Sequence, residues 1–347
     1  VTAAQPAVTA LVVTWNGAHL LDACLDSLDA QTARDRTEVV VVDNASTDGT
    51  AELLARRPGV RVVRAGRNLG FAGGVDLGWR HARGRHVLLL NNDARLEPDG
   101  VAALLDVVDG PEGSQVAAAT ATILLEGWYA PAGADQDAAF VAPDGRRWAP
   151  TTADAPGAVR LVNSTGNVVG PDGAGHDRDW LAVAGTEHGP GPVFGFCGGA
   201  VLLRRAAVDE VGGIDADLFL YYEDTDLSWR LRAAGWEVVH APTAVAHHRH
   251  AQSSGTASPL FRYQNTRNSL VVATRHAPWP VVVRAWLRQG AGTVRALLRD
   301  GPRDPATRAR VRGYAHALVR VPAALAVRRS VWHGSDTPRA QVVRLLR

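Results

Sequence analysis

An open α/β domain with a doubly wound mixed sheet, continued by a helical, Arg-rich extension, is the fold class this sequence predicts. Three observations predict it: short Val- and Leu-rich runs alternate with helical patterns, polar segments follow each run, and beyond Ser258 only helical patterning remains. The runs are Val8–Thr14, Val39–Asp43, Val60–Val63 and His86–Leu90. Apolar stretches this short and continuous belong to strands buried on both faces, as in a parallel sheet. Between them Leu20, Leu21, Cys24, Leu25 and Leu28 keep helical spacing, and Thr50 to Arg56 follows an Asp-Gly turn. A length of 347 residues allows two domains, and 46% hydrophobic with 21% charged residues excludes a disordered chain or a membrane bundle.

Further along, periodicity fades from Glu126 to Pro192, where Gly, Pro and Asp dominate. Order returns with a strand over Ala200–Arg204 that runs into a helix at Ala206, and with strand patterns at Trp236–His240 and Ala244–His248. The expected organisation is one α/β domain over 1–255, an irregular acceptor-side insertion over 126–192, and a helical basic extension over 256–347. Pro278, Pro302, Pro305 and Pro322 are expected to break that extension.

The formal net charge of +2 conceals a split. Every basic residue is Arg, and residues 271–347 hold 15 of them against only Asp300, Asp304 and Asp336. The preceding 270 residues carry 22 Arg against 32 acids. An acidic body with a basic tail points to an anionic partner surface, and charge alone leaves nucleic acid and an anionic membrane surface equally open. The bland readings are compositional bias in a chain without Lys, a helical cap on the acidic body, or an interface between copies of a homo-oligomer. A non-enzymatic nucleic-acid-binding protein acting through this tail is the alternative; against nucleic acid, aromatic residues in the tail are too sparse for a stacking platform. Two cysteines, Cys24 and Cys197, exclude a disulfide framework and a cysteine zinc site. Without a secretory pattern or an 18-residue apolar run, the expected location is cytoplasmic, peripheral on the inner face of the membrane.

In open α/β sheets ligands bind beyond the carboxyl ends of the strands. Those ends read Thr14-Trp15-Asn16-Gly17, Asp43-Asn44-Ala45-Ser46-Thr47-Asp48-Gly49-Thr50, Gly66-Arg67-Asn68-Leu69-Gly70-Phe71-Ala72-Gly73-Gly74 and Asn91-Asn92-Asp93. The glycines permit close backbone approach and lead into a helix N-terminus suited to phosphate. Each segment alone is everyday turn and cap chemistry. Four in register are the makings of a nucleotide site.

These motifs, in this order and with Tyr222-Glu223-Asp224-Thr225-Asp226-Leu227, resemble the family 2 glycosyltransferases of GT-A fold, over about residues 8–276. The branch resembled includes bacterial rhamnosyltransferases and galactofuranosyltransferases of cell-wall and O-antigen assembly. The resemblance implies an inverting, metal-dependent glycosyltransferase using a nucleotide-diphospho sugar, with dTDP-rhamnose or a UDP-sugar as donor. The implied acceptor is a glycan or a polyprenyl-diphosphate-linked sugar. It assigns Asp43 to a pyrimidine imide or ribose hydroxyl, with Thr14, Asn16, Arg67, Asn68 and Asn92 lining the donor pocket. Asp93 takes the last place of the family's Asp-X-Asp signature, which holds Mg²⁺ or Mn²⁺; Asn91 stands at the first, leaving one carboxylate of the pair. A His after a Pro-X-Ala strand completes the family's cation site, and counting from Pro242 places it at His248. His247 and His250 flank it, with His247 on the opposite strand face. Glu223 and Asp224 are the candidate catalytic carboxylates, and the resemblance puts the base at Asp224. Acids at a helix start also serve as simple caps, a role open to Asp226. A sugar nucleotidyltransferase is the rival enzyme class, but Trp15-Asn16-Gly17-Ala18-His19 is not its glycine-rich basic loop.

Overall fold

The computed structural model describes residues 5–133, 136–249, 258–335 and 337–346. His250 lies outside them. The first half alternates strand and helix: β1 (Val8–Thr14), α1 (Ala18–Asp29), β2 (Thr37–Asp43), α2 (Thr50–Ala55), β3 (Val60–Arg64), α3 (Gly70–Trp79), β4 (His86–Leu90), β5 (Ala94–Leu96), α4 (Gly100–Asp109) and β6 (Val116–Leu125). Seven short strands follow: β7 (Trp128–Pro131), β8 (Phe140–Val141), β9 (Arg147–Thr151), β10 (Val162–Ser164), β11 (Asn167–Val169), β12 (Gly175–Asp177) and β13 (Gly191–Pro192). Then come β14 (Ala200–Arg204), α5 (Arg205–Glu210), α6 (Glu223–Ala233) and β15 (Glu237–His248). Helices α7 (Pro259–His276), α8 (Trp279–Arg299), α9 (Pro305–His333) and α10 (Arg339–Val343) complete the chain.

The main sheet runs β13-β15-β6-β14-β4-β1-β2-β3, with β5 on β15 and β10 on β6. β3, β2, β1 and β4 are mutually parallel, whereas β14 runs antiparallel to both β4 and β6, so the sheet is mixed. Strand alternation sorts β1 onto two cores. Val8, Ala10 and Val12 pack with Leu21, Leu25 and Leu28 of α1 and Leu104 of α4, while Leu11 and Val13 pack with Val75 of α3 and Leu227 of α6. After β3 the chain returns to β4 on the other side of β1, and that reversal opens the crevice at the ends of β1 and β4.

Two expectations need correction. The stretch 126–192 reads as irregular but carries the seven strands β7–β13 among its described residues. At two to five residues each, they are too short to show a period. Pro322 does not break the extension, since α9 continues through it for 29 residues. The proline faces solvent, while Ala317, Ala324 and Arg328 on either side pack inward and hold the helix across the missing bond. Ser258 and Asp304 cap α7 and α9, accepting from Phe261 N and Thr307 N, with Pro259 and Pro305 at the first helical position. Among the described residues no helix is long and apolar enough to cross a membrane.

Candidate active site

At the donor end Asp43 is buried at the tip of β2, and its Oδ1 accepts from Ser46 N at 2.9 Å. Asn16, in the left-handed region at φ 50°, donates its backbone N–H to Ser46 Oγ and accepts from Thr47 N at 2.7 Å. Asn92 Nδ2 donates to Thr14 Oγ1 at 3.0 Å beneath the same crevice. Asn68 Oδ1 accepts from Gly70 N and Asn44 Nδ2. The side chains of Thr14, Asn16, Asn68 and Asn92 therefore brace the loops, and Arg67 stands exposed beside them.

The helix N-terminus of α3 departs from its expected role. Leu69 N donates to Asn44 Oδ1, Gly70 N to Asn68 Oδ1 and Ala72 N to the Phe219 carbonyl. These amides are engaged by protein, so the start of α3 is not an open phosphate cradle. Its glycines serve packing instead. Gly70 has φ 72°, and a Cβ there would run into Phe219, while a Cβ at Gly78 would strike Leu11 and Val42.

Asn91, Asp93 and His248 come together where β5 pairs with the end of β15. His248 Nε2 stands 3.0 Å from Asp93 Oδ1 and 3.4 Å from Asn91 Nδ2. On the other side of the ring, Nδ1 is 2.7 Å from Asn163 Oδ1. The ring is thus held between an amide oxygen on one edge and a carboxylate on the other, the kind of outer partner that orients a ligating imidazole. The set of carboxylate, imidazole and amide fits a divalent cation of the Mn²⁺ type. Among the described residues no group of three His, Cys, Asp or Glu gathers, which matches the loss of one acid at Asn91. His247 points away, its Nε2 2.6 Å from Glu97 Oε1.

The carboxylates at the start of α6 are set by a strained loop. Phe219, Tyr221 and Tyr222 have φ of 65°, 68° and 72°, which costs energy at each non-glycine position. Asn268 of α7, fully buried, donates through Nδ2 to the carbonyls of Leu218, Leu220 and Tyr221 at 2.7 to 2.9 Å. Beyond that loop Glu223 is sealed and Asp224 half-buried. Asp224 accepts from Thr225 N at 2.6 Å and from Gly198 N at 3.4 Å, whereas Glu223 Oε2 has no hydrogen-bond partner. Burial, then the neighbouring Asp224, pushes Glu223 up to about 8. Burial raises Asp224 as well, against the bonds from Thr225 and Gly198. The pair thus shares one proton near neutrality, held on Glu223, while Asp224 keeps the donors that favour its anion.

Because Glu223 binds its proton more tightly folded than unfolded, the folded protein loses stability as pH rises from about 4.5 toward about 8. Glu223→Gln should therefore raise the melting temperature relative to the parent at pH 8, with the gap closing at pH 5. Parallel melting curves across that range would show that Glu223 does not carry the shared proton.

Asp226 is no simple cap. Fully buried, it meets Arg230 Nε at 2.9 Å, Arg275 Nη1 at 3.0 Å and His276 Nε2 at 2.8 Å. Burial alone would raise its pKa, but Arg230, His276 and Arg275 outweigh it and hold the carboxyl well below the usual range. The ion group ties α6 to α7.

Three site residues escaped the sequence reading. Asn163 lies on β10 and Asp177 on β12, inside the stretch that shows no period. Burial, with the nearby charge of Asp224, pushes Asp177 up to about 6, against Ser164 and Cys197 beside it. Asn268 is the third. It stands among the polar residues Gln264, Asn265, Thr266, Arg267 and Ser269 of α7, so nothing in the sequence singles it out.

The mixed sheet with a crevice at its strand ends is an architecture of GT-A type, and comparison with known proteins places it further. The glycosyl transferase family 2 model matches residues 9–136, and the model of glycosyl transferase family group 2 matches 175–334. The chain belongs to glycosyltransferase family 2. It is 30% identical over 306 residues to the N-acetylglucosaminyl-diphospho-decaprenol L-rhamnosyltransferase of Mycobacterium tuberculosis, covering 83% of this chain and 91% of that protein. Succinoglycan biosynthesis protein ExoO of Rhizobium meliloti is 35% identical over 114 residues, 32% of each chain. In fold, the chain is similar to GalNAc-T7, solved with UDP, GalNAc and Mn²⁺, with a TM-score of 0.60 at 14% identity. That match covers 95% of this chain and 58% of the other.

Proposed function

We propose that this glycosyltransferase moves a sugar, rhamnose first among candidates, from a nucleoside-diphosphate sugar to a hydroxyl of a polyprenyl-diphosphate-linked glycan in bacterial cell-envelope polysaccharide synthesis. The observation that carries the reading is that the Gly198-Gly199 turn joins the two halves, Gly198 N donating to Asp224 at 3.4 Å and Gly199 O accepting from Asn91 N at 3.0 Å, beside the Asp93–His248 contact. The mycobacterial relative's name supports the sugar and the lipid-linked acceptor.

In this reading Asp43 receives the pyrimidine or ribose, inside loops braced by Thr14, Asn16, Asn68 and Asn92, and Arg67 reaches the nucleotide from the rim. Asp93, His248 and Asn91 hold Mg²⁺ or Mn²⁺, which when bound supplies positive charge to the departing diphosphate. Asp224 takes the proton of the acceptor hydroxyl as its oxygen attacks the anomeric carbon. The bond to the diphosphate breaks in that displacement, with inversion and no covalent enzyme intermediate.

The extension supports a peripheral position on the cytoplasmic membrane face. Trp279, Val283, Leu287, Val294 and Leu298 of α8 are all exposed. At 3.6 residues per turn they fall within an arc of about 100°. Exposed Arg284 and Arg295 lie on the same helix, a composition suited to an anionic interface.

A thermal-shift series tests the donor half of the reading. Nucleoside diphosphates and their sugars are compared with and without Mn²⁺, and a bound ligand raises the melting point by mass action. Thymidine or uridine diphosphates should give the largest shifts, and only with the cation. A flat response to pyrimidine nucleotides would overturn the assignment.

A further inference from the structure

A small recess lies beside the two carboxylates that open α6. Phe71 at the start of α3, Leu89 of β4, Phe196 and Ile214 wall it, and Gly198, Glu223 and Asp224 close the rest. Leu89 and Phe196 belong to the buried core beneath, and the half-buried Phe71 and Ile214 pack against that core. The surface turned to the recess is almost wholly carbon, and its free room of about 10 Å³ takes one water-sized group. Gly198 shows the scale. A Cβ there would stand 3.6 Å from Cε1 of the Phe71 ring and 4.0 Å from Asp224 Cβ, both ordinary contact distances. A methyl at that point therefore fits with no side chain displaced.

Water gains little from such a place, because it finds too few polar partners, whereas a methyl group is held there by the hydrophobic effect. The recess is also tied to both halves of the site. Phe71 follows Gly70, whose amide donates to Asn68 Oδ1 in the donor loops, and Leu89 lies two residues before Asn91. On the other side the Gly198 amide meets Asp224 at 3.4 Å. A transferred sugar has to lie between those two halves.

We propose that this recess receives the C6 methyl of a 6-deoxyhexose donor and so selects 6-deoxy sugars over their 6-hydroxy counterparts, with Phe71, Ile214 and Gly198 as the specificity-determining residues. The inference rests on the donor reading above and deepens it. A hexose would bring a hydroxymethyl group, one heavy atom larger, and would bury its hydroxyl against carbon without a partner. Calorimetric titration of the full chain with Mn²⁺ present tests this. The ligands are thymidine diphosphate, thymidine-diphospho-L-rhamnose and thymidine-diphospho-L-mannose, which differs from the rhamnose donor by one oxygen.

The parent should bind the rhamnose donor at least about tenfold more tightly than the mannose donor. Gly198→Ala puts a methyl of its own into the recess and should weaken the rhamnose donor at least about tenfold. Unchanged affinity of that variant for thymidine diphosphate would show that it is folded. Ile214→Ala widens the recess and should narrow the parent's preference to under about threefold. Binding of thymidine diphosphate with no preference between the two sugars overturns this proposal alone, as does a Gly198→Ala variant that keeps its rhamnose affinity. Failure of thymidine diphosphate itself to bind the parent overturns the donor reading and this proposal with it. An acetamido methyl on the acceptor is the other group of the same chemistry: a rise confined to the acceptor KM in Gly198→Ala, with donor affinities unchanged, would give the recess to the acceptor and sink the donor assignment.

Discussion

Asp224→Asn should lower kcat by about 10²–10⁴ while donor affinity stays within about threefold. The amide keeps the size of the carboxylate but does not take the acceptor proton, and its neighbour Glu223 is in no position to replace it. Glu223 is sealed, has an oxygen without a partner, and holds its proton up to about pH 8. Asp224 is the half-buried member with amide donors from Thr225 and Gly198. The variant should fold at least as well as the parent, since a buried charge is removed while the amide oxygen still accepts from Thr225. Single-turnover transfer and donor titration together check this. Transfer within tenfold of the parent would remove Asp224 as the base.

The second large effect is on stability. Asp226→Ala should cost about 3–5 kcal/mol, because it leaves Arg230 buried without its carboxylate and strips His276 of its partner, although Arg275 keeps Asp215 at 2.7 Å. Urea denaturation at pH 7 measures it. The depressed pKa of Asp226 means its contribution is present above the ordinary carboxylate range and is lost as pH falls below about 4, so the gap between parent and variant should narrow there. A loss under about 1 kcal/mol at pH 7 would mean the ion group does not join the two helices.

Most of the donor half was legible in the chain. Strands β1, β2 and β4 are largely apolar because both faces are covered, and the polar residues read as candidate ligand contacts stand where those runs end. Asp43, Asn91, Asp93 and His248 could be located by that logic and by motif order. Their partners could not. Asn163 and Asp177 lie on three-residue strands whose pairing is decided by distant neighbours, and no window around them carries a period. The covered start of α3 was hidden for a related reason. Its amides are taken by Asn44, which is near in sequence, and by Phe219, which lies about 150 residues away. Asp226 looked like a cap because local spacing shows the helix start but not Arg275 and His276 arriving from the far end of α7.

The clamp of Asn268 on the loop before α6 has a consequence for synthesis. When a ribosome has delivered the chain through β15, every strand of the main sheet has emerged, and the donor loops have all their partners. The carbonyls of Leu218, Leu220 and Tyr221 still lack the amide that holds them. Until α7 follows, the newborn protein has its crevice loops in place but no clamp to set Glu223 and Asp224, so the site is completed by the helices made last.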